Sequence, residues 1–166
     1  LYSSEVIGNP WVDYWRNKEN TYKCNGFILY SLQPKPVTMV ELFPEELINF
    51  IHSYSYKWFL RLHPRQLHEQ KNIENYLALK NVLHLVNIND ATKDHLPQLL
   101  LNSKLHITNF SGTTIEASLF DKKTVLINML GVNSFSELIL QGKAIYLDAN
   151  KDDFKTELVN YLNTYC

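Results

Sequence analysis

Cysteine is scarce in this chain: Cys24 and Cys166 are the only two in 166 residues, far apart and without CxxC spacing. That excludes a cysteine-built zinc site, argues against a disulfide framework, and fits a reducing compartment. Net charge is nearly absent as well. Sixteen basic groups against seventeen acidic ones leave −1, so no overall field would draw the chain onto nucleic acid or anionic lipid, and any partner has to be recognised at a local site. No apolar run approaches the about eighteen residues that cross a bilayer, and the amino terminus lacks the basic-then-apolar layout of a signal peptide. There is no internal repeat and no low-complexity tract. Metal-ligand spacing is missing too: His52, His68 and His95 fall singly on helices or their edges, and His84 and His106 sit in apolar strand runs, where a hydrogen-bonded core histidine is the common case. No metal is expected. Trp11, Trp15, Trp58 and the ten tyrosines come without a basic stripe, so they are expected in the core and at domain contacts rather than stacked on bases.

With 45% hydrophobic and 20% charged residues, the chain has the size and composition of one ordinary domain. It begins at Leu1 rather than Met, which sets the expectation of a piece cut from a longer protein. Residues 1–25 hold the turn signal Gly8-Asn9-Pro10-Trp11 and then a polar stretch without clean periodicity, and they are expected to form a linker or docking arm. A different rhythm begins at Gly26 and defines a domain over 26–166. Short apolar runs at Phe27–Tyr30, Trp58–Leu62, Val82–Val86, Leu105–Thr108, Thr124–Ile127 and Ala144–Leu147 read as strands. Helices are expected between them, from Pro44 to about Ser55, Glu69 to Leu79, Leu96 to Asn102, Thr113 to Phe120, Phe135 to Leu140 and Asp152 to Asn163. Strands that alternate with helices of this length cannot be joined as hairpins. The fold class is therefore α/β, a Rossmann-like parallel sheet of about six strands with helices on both faces.

Ligands of such sheets bind beyond the carboxyl ends of the strands. After the second strand, His63-Pro64-Arg65 combines a hydrogen-bond donor, a stiff exit and a cationic fork suited to oxyanions, although a turn with a surface cation would look similar. After the fourth, Asn109 to Ala117 ends a strand in a small-residue turn and opens a helix. Its backbone amides, with Ser111, Gly112, Thr113 and Thr114, form a neutral cradle for a phosphate. Glu116 could accept from ribose hydroxyls, or it could close a capping box with Thr113. After the third strand, Asn89 could read a base, an ordinary polar turn being the equal alternative. Asn128-Met129-Leu130-Gly131, after the fifth, could bring backbone near a sugar.

The order His63-Pro64-Arg65, then 86–101, then Leu105-His106-Ile107-Thr108-Asn109-Phe110-Ser111-Gly112-Thr113-Thr114-Ile115-Glu116-Ala117 and on to Val125, resembles the carboxyl-terminal, donor-binding domain of GT-B glycosyltransferases, particularly those of bacterial capsule and surface polysaccharide synthesis. The resemblance covers about two thirds of the chain. It implies a nucleotide-sugar substrate, no metal or other cofactor, and glycosyl or phospho-polyol transfer. Within it His63 is the catalytic group, Arg65, Ser111, Gly112, Thr113 and Thr114 hold phosphate, and Glu116 and Asn89 hold ribose and base. It also implies a missing amino-terminal acceptor domain, no activity in the isolated chain, no nucleic-acid partner, no transmembrane segment, and a place in the cytoplasm or at the inner face of a membrane.

Two rivals stand beside that reading. One is a sugar-nucleotide epimerase of related fold, whose acidic-Ser-Gly-Gly turn differs from Phe110-Ser111-Gly112-Thr113 here. The other is a non-catalytic nucleotide-binding α/β module. A phospho-receiver is disfavoured because the first strand run leads into Ser31-Leu32-Gln33 rather than acids.

Overall fold

The computed structural model describes residues 8–18, 26–34 and 36–165. Cys24, Cys166, most of the expected arm and its boundary at residue 25 lie outside the described residues. Six strands, β1 (Phe27–Ser31), β2 (Trp58–Arg61), β3 (Val86–Asn87), β4 (Ser103–Thr108), β5 (Thr124–Leu126) and β6 (Ala144–Tyr146), form one sheet in the order β3-β2-β1-β4-β5-β6. Every pairing is parallel. The order reverses between β1 and β4, which makes the carboxyl end of β1 the switch point, the place where loops diverge and leave a crevice.

Around the sheet lie α1 (Pro10–Asn17), α2 (Met39–Leu42), α3 (Glu45–Ser53), α4 (Gln70–Leu79), α5 (Asn89–Lys93), α6 (Leu96–Asn102), α7 (Thr113–Leu119), α8 (Met129–Ser134), α9 (Ser136–Leu140) and α10 (Phe154–Tyr165). Alternation along β1 sorts the two faces. Ile28, Tyr30 and the following Leu32 belong to a large core with Leu47, Phe50, Ile73, Leu77, Phe154 and Leu158. Phe27 and Leu29 point the other way, into a smaller core with Val12, Phe59, Leu99, Leu100, Ala117 and Phe120. Burial on both faces is why these strands read as continuous apolar runs.

Two expectations need correcting. Val82–Val86 is not a strand: Leu83–Leu85 is a 3-10 turn, and only Val86–Asn87 pairs with β2. The backbone explains it. Asn81, at φ +56, ends α4, the Val82 N–H donates to Leu77 O and the Leu85 N–H to Val82 O, so these groups are spent on the turn before the sheet is reached. His84 consequently lies on an exposed turn and not in a strand. The second correction concerns Gly8-Asn9-Pro10-Trp11, which opens a helix. Asn9 Oδ1 accepts from the N–H groups of Trp11 (3.1 Å) and Val12 (3.4 Å), Pro10 takes the first-turn position that needs no donor, and Val12 and Trp15 pack on the smaller core.

Candidate functional site

The carboxyl end of β1 lies in register with those of its neighbours, Ser31 opposite Arg61 of β2 and Thr108 of β4. Just beyond that row, Ser31, Arg61, His63, Ser111 and Thr113 line one pocket, walled also by Leu32, Leu62 and Pro64. The His-Pro loop and the Ser-rich loop thus meet. At about 50 Å³ the pocket suits a single oxyanion rather than a whole ligand, whose sites run to roughly 300–1,000 Å³.

The loop after β2 is a tight 3-10 turn, Pro64–Glu69. The Arg65 N–H donates to His63 Nδ1 at 3.1 Å, the His63 N–H donates to Gln66 Oε1 at 3.2 Å, and buried Gln66 donates onward to Gln33 O at 2.6 Å. With Nδ1 occupied as an acceptor, neutral His63 carries its proton on Nε2, which has no partner among the described residues. Burial, and then the Arg65 charge, lower its pKa and favour that neutral form. Arg65 itself is exposed and does not line the pocket.

Its place is taken by Arg61, a cation that ends β2 inside an otherwise apolar run. The Arg61 Nη1 donates to Ala91 O (2.6 Å) and Asp94 O (2.8 Å), so α5 fixes the guanidinium while Nη2 and Nε have no hydrogen-bond partner among the described residues. Burial lowers its pKa, opposed by Glu116 and then Asp94. Glu116 sits half-buried on α7 within electrostatic reach of Arg61. Burial raises its carboxyl pKa and Arg61 pulls it back.

The loop after β4 is tied from below. Thr108 Oγ1 donates to Ser31 O (2.8 Å) and accepts from the Ser111 N–H (3.3 Å), while Ser111 Oγ accepts from the Thr113 N–H (3.4 Å). Thr113 Oγ1 and Ser31 Oγ both lie against Nε2 of His106, at 3.2 and 3.0 Å, and His106 Nδ1 lies 3.0 Å from Thr124 Oγ1. His106 is wholly buried on β4, with its pKa pushed down to about 3 by desolvation. Asn109 anchors the loop's start, donating from Nδ2 to Glu41 O at 3.0 Å, with Oδ1 3.0 Å from the Tyr30 hydroxyl. Gly131 of α8 packs so closely behind that a Cβ would stand 2.5 Å from Asn109 O, which is the reason for glycine there.

The remaining site residues fall as follows. Gly112 caps α7 with no side-chain bond, so the Thr113–Glu116 capping box does not form. α7 spans seven residues, too short for its backbone alone to make an anion site, and the side-chain donors carry the chemistry. Thr114 is buried, and its hydroxyl donates to Ser111 O at 2.8 Å, away from the pocket. Asn89 is exposed at the start of α5 and accepts from Gln70 Nε2 at 3.1 Å, also outside the pocket. Sequence reasoning missed Arg61, Ser31 and His106. Arg61 and His106 had a signal, being polar residues inside apolar strand runs near the switch point. Among the described residues no group of three potential metal ligands occurs, and no helix is long and apolar enough to cross a membrane.

No family model and no curated protein matches the chain. Solved structures do. A Methanocaldococcus jannaschii UDP-GlcNAc 2-epimerase, in complex with UDP-GlcNAc and UDP, aligns at a TM-score of 0.64 and 17% identity over 94% of this chain and 42% of its own. The Escherichia coli ADP-heptose LPS heptosyltransferase II aligns at 0.53 and 13% identity over 99% of this chain and 54% of its own. The carboxyl-terminal domain of a group 1 glycosyl transferase (LpcC) from Francisella tularensis aligns at 0.53 and 15% over 91% and 79%. The chain spans less than half the length of the epimerase. It is an α/β Rossmann-like domain whose fold is shared with part of that UDP-GlcNAc 2-epimerase and of the two transferases.

Proposed function

We propose that the pocket between β1, β2 and β4 receives a phosphate of a nucleotide sugar, and that the chain is the donor-binding part of a GT-B glycosyltransferase or phospho-polyol transferase that builds a surface glycan. One observation carries the reading. His63, whose Nε2–H has no partner among the described residues, and the hydroxyls of Ser31, Ser111 and Thr113 converge with Arg61 on an oxyanion-sized space at the switch point. Such donors stabilise charge that gathers on a departing nucleotide phosphate, which makes His63 the group expected to act in catalysis. Arg65, Gly112 and Thr114 would then support the phosphate site from its rim and frame, with Glu116 toward the ribose and Asn89 toward the base. No metal is required by this arrangement, and the rest of the donor and the acceptor would be held by another domain of a longer protein.

The epimerase reading is the second, favoured by the higher TM-scores to UDP-GlcNAc 2-epimerases, one of them from Neisseria meningitidis bound to UDP-GlcNAc. The test is calorimetric titration with CMP, CDP, UMP, UDP and the matching nucleosides. His63→Ala and Ser111→Ala should each weaken nucleotide binding by about 1.5–3 kcal/mol while leaving nucleoside binding unchanged, since the lost bonds are to charged oxygens. Equal losses for nucleoside and nucleotide would show that no phosphate lies there. Transfer or epimerisation by the longer protein then separates the two activities.

A further inference from the structure

His106 lies behind the pocket wall and touches no space that a ligand could enter. Its two nitrogens nevertheless meet three hydroxyls, and two of those, Ser31 and Thr113, line the pocket. A neutral imidazole has one donor and one acceptor, so its tautomer decides which way the hydroxyl protons turn. If Nδ1 carried the proton, Thr124 Oγ1 would accept it. The buried Thr124 hydroxyl proton would then have no acceptor, because its side chain meets no other polar partner among the described residues. Stranding a buried donor is the costly outcome that folded proteins avoid. If Nε2 carries the proton, the Thr124 hydroxyl donates to Nδ1, and the hydroxyl protons left over belong to Ser31 and Thr113, which face the pocket, where water or a ligand can accept them. A doubly protonated ring is excluded by complete burial with no carboxylate against it.

We propose that His106 is a positioning residue that turns the Ser31 and Thr113 hydroxyls toward the pocket as hydrogen-bond donors, by sharing Nε2–H between their two oxygens and offering Nδ1 to the Thr124 hydroxyl. With one lone pair of each oxygen engaged from below, both O–H bonds turn outward. His63 and Ser111 already present protons there, since His63 Nδ1 and Ser111 Oγ accept backbone N–H groups. The protons of Ser31, Ser111 and Thr113 and the Nε2–H of His63 then all face the pocket. It favours a ligand rich in acceptors, a phosphate dianion before a protonated amine. This deepens the phosphate reading above and rests on it for the ligand, though the tautomer does not.

Long-range proton–nitrogen correlation spectra of the ligand-free protein at pH 7 test the first half. His106 should show a protonated Nε2 and a bare Nδ1, and the reverse assignment overturns the inference. Titration with inorganic phosphate and pyrophosphate tests the second. His106→Leu should lose roughly tenfold or more in affinity, as for one bond to a charged oxygen, whereas His106→Gln, whose amide N–H reaches the place of Nε2, should stay within a few-fold of the original. Unchanged affinity in His106→Leu, or no rescue by His106→Gln in a folded protein, overturns the positioning role. The tautomer measurement needs no variant and decides the matter if His106→Leu does not fold. Failure of the unsubstituted protein to bind either anion, with Nε2 protonated, overturns the phosphate reading and leaves the tautomer standing. Anion binding with Nδ1 protonated does the opposite.

Discussion

After β2, the imidazole of His63 is held at the protein's rim by the N–H of Arg65, two residues along the same turn. After β4, the hydroxyl of Thr113 is held from beneath by His106, a residue on a neighbouring strand position with no solvent exposure. One loop orients its donor by local backbone geometry and stays within reach of solvent. The other borrows its orientation from the core, so its chemistry is tied to the stability of the whole sheet. The difference teaches that one pocket can combine an adjustable half and a rigid half, and that damage to each should look different. Substitutions in the His63 loop should change binding and spare folding, while those behind the Ser111 loop should change both.

Acid offers the strongest way to break the rigid half. The pKa of His106 falls from the ordinary histidine range of about 6.5 when unfolded to about 3 in the fold, so between these values the unfolded chain binds the extra proton. Stability contributed by neutral His106 is therefore complete above about pH 6.5 and is lost as pH falls toward 3. The loss should reach about 3 kcal/mol by pH 4. Urea unfolding of the protein and of His106→Gln, at pH 7 and pH 4, isolates the histidine because the carboxylates are common to both. Parallel acid losses in the two proteins would mean that His106 is hydrated.

Gly131→Ala presses on the same half from outside. Its Cβ would meet Asn109 O at 2.5 Å and Leu126 Cδ2 at 3.2 Å, and the first of these is backbone. Overpacking of this kind costs about 1–3 kcal/mol. The unfolding free energy from urea titration should fall by that amount and anion affinity should fall with it, while the His63 resonances stay in place. A neutral substitution would show that α8 slides freely against the β4 loop.

Much of this was legible in the residues. The alternation of apolar runs and helical stretches led to six parallel strands, and the odd composition of the loops after β2 and β4 pointed to His63 and Ser111, which do share a pocket. What escaped had physical reasons. Val82–Val86 has strand composition, but the closing turn of α4 uses its backbone groups first. Thr113 and Glu116 have capping-box spacing, yet Thr113 lies one residue inside the helix and its hydroxyl turns to His106. Arg61 stood out as a cation in an apolar run, but Ser31 became visible as a site residue only through register, because pairing places it beside Arg61 from a segment thirty residues away in sequence. Asn9-Pro10 was a readable helix start that the polar stretch behind it obscured.

Glu116→Gln probes the link between the halves. Glu116 stands on the rigid side and Arg61 on the other, coupled through charge without a direct hydrogen bond. Since no cap is lost, stability should change by less than about 1 kcal/mol. Inorganic phosphate should bind as well or slightly better once a negative charge is gone, whereas a nucleotide, if Glu116 meets its ribose, should bind several-fold more weakly. Calorimetry with both ligands gives the sign. A rise for both would mean that Glu116 serves only to balance Arg61.

Gly112→Ala should have the smallest effect on folding and still sharpen the contrast. Gly112 has φ −56 and ψ −19, a conformation open to any residue, and an added Cβ would meet nothing within 4 Å. Alanine is a poorer helix cap than glycine by some tenths of a kcal/mol, and its smaller unfolded-state freedom returns a similar amount, so thermal stability should stay within about 0.5 kcal/mol. Any change in phosphate affinity then reports the ligand's approach alone. A weaker complex would mean that the anion rests against the loop's backbone, on the open side of Gly112. An unchanged one would place it deeper, over the hydroxyls of Ser31 and Thr113, where the orientation imposed by His106 governs binding and the glycine has no part in it.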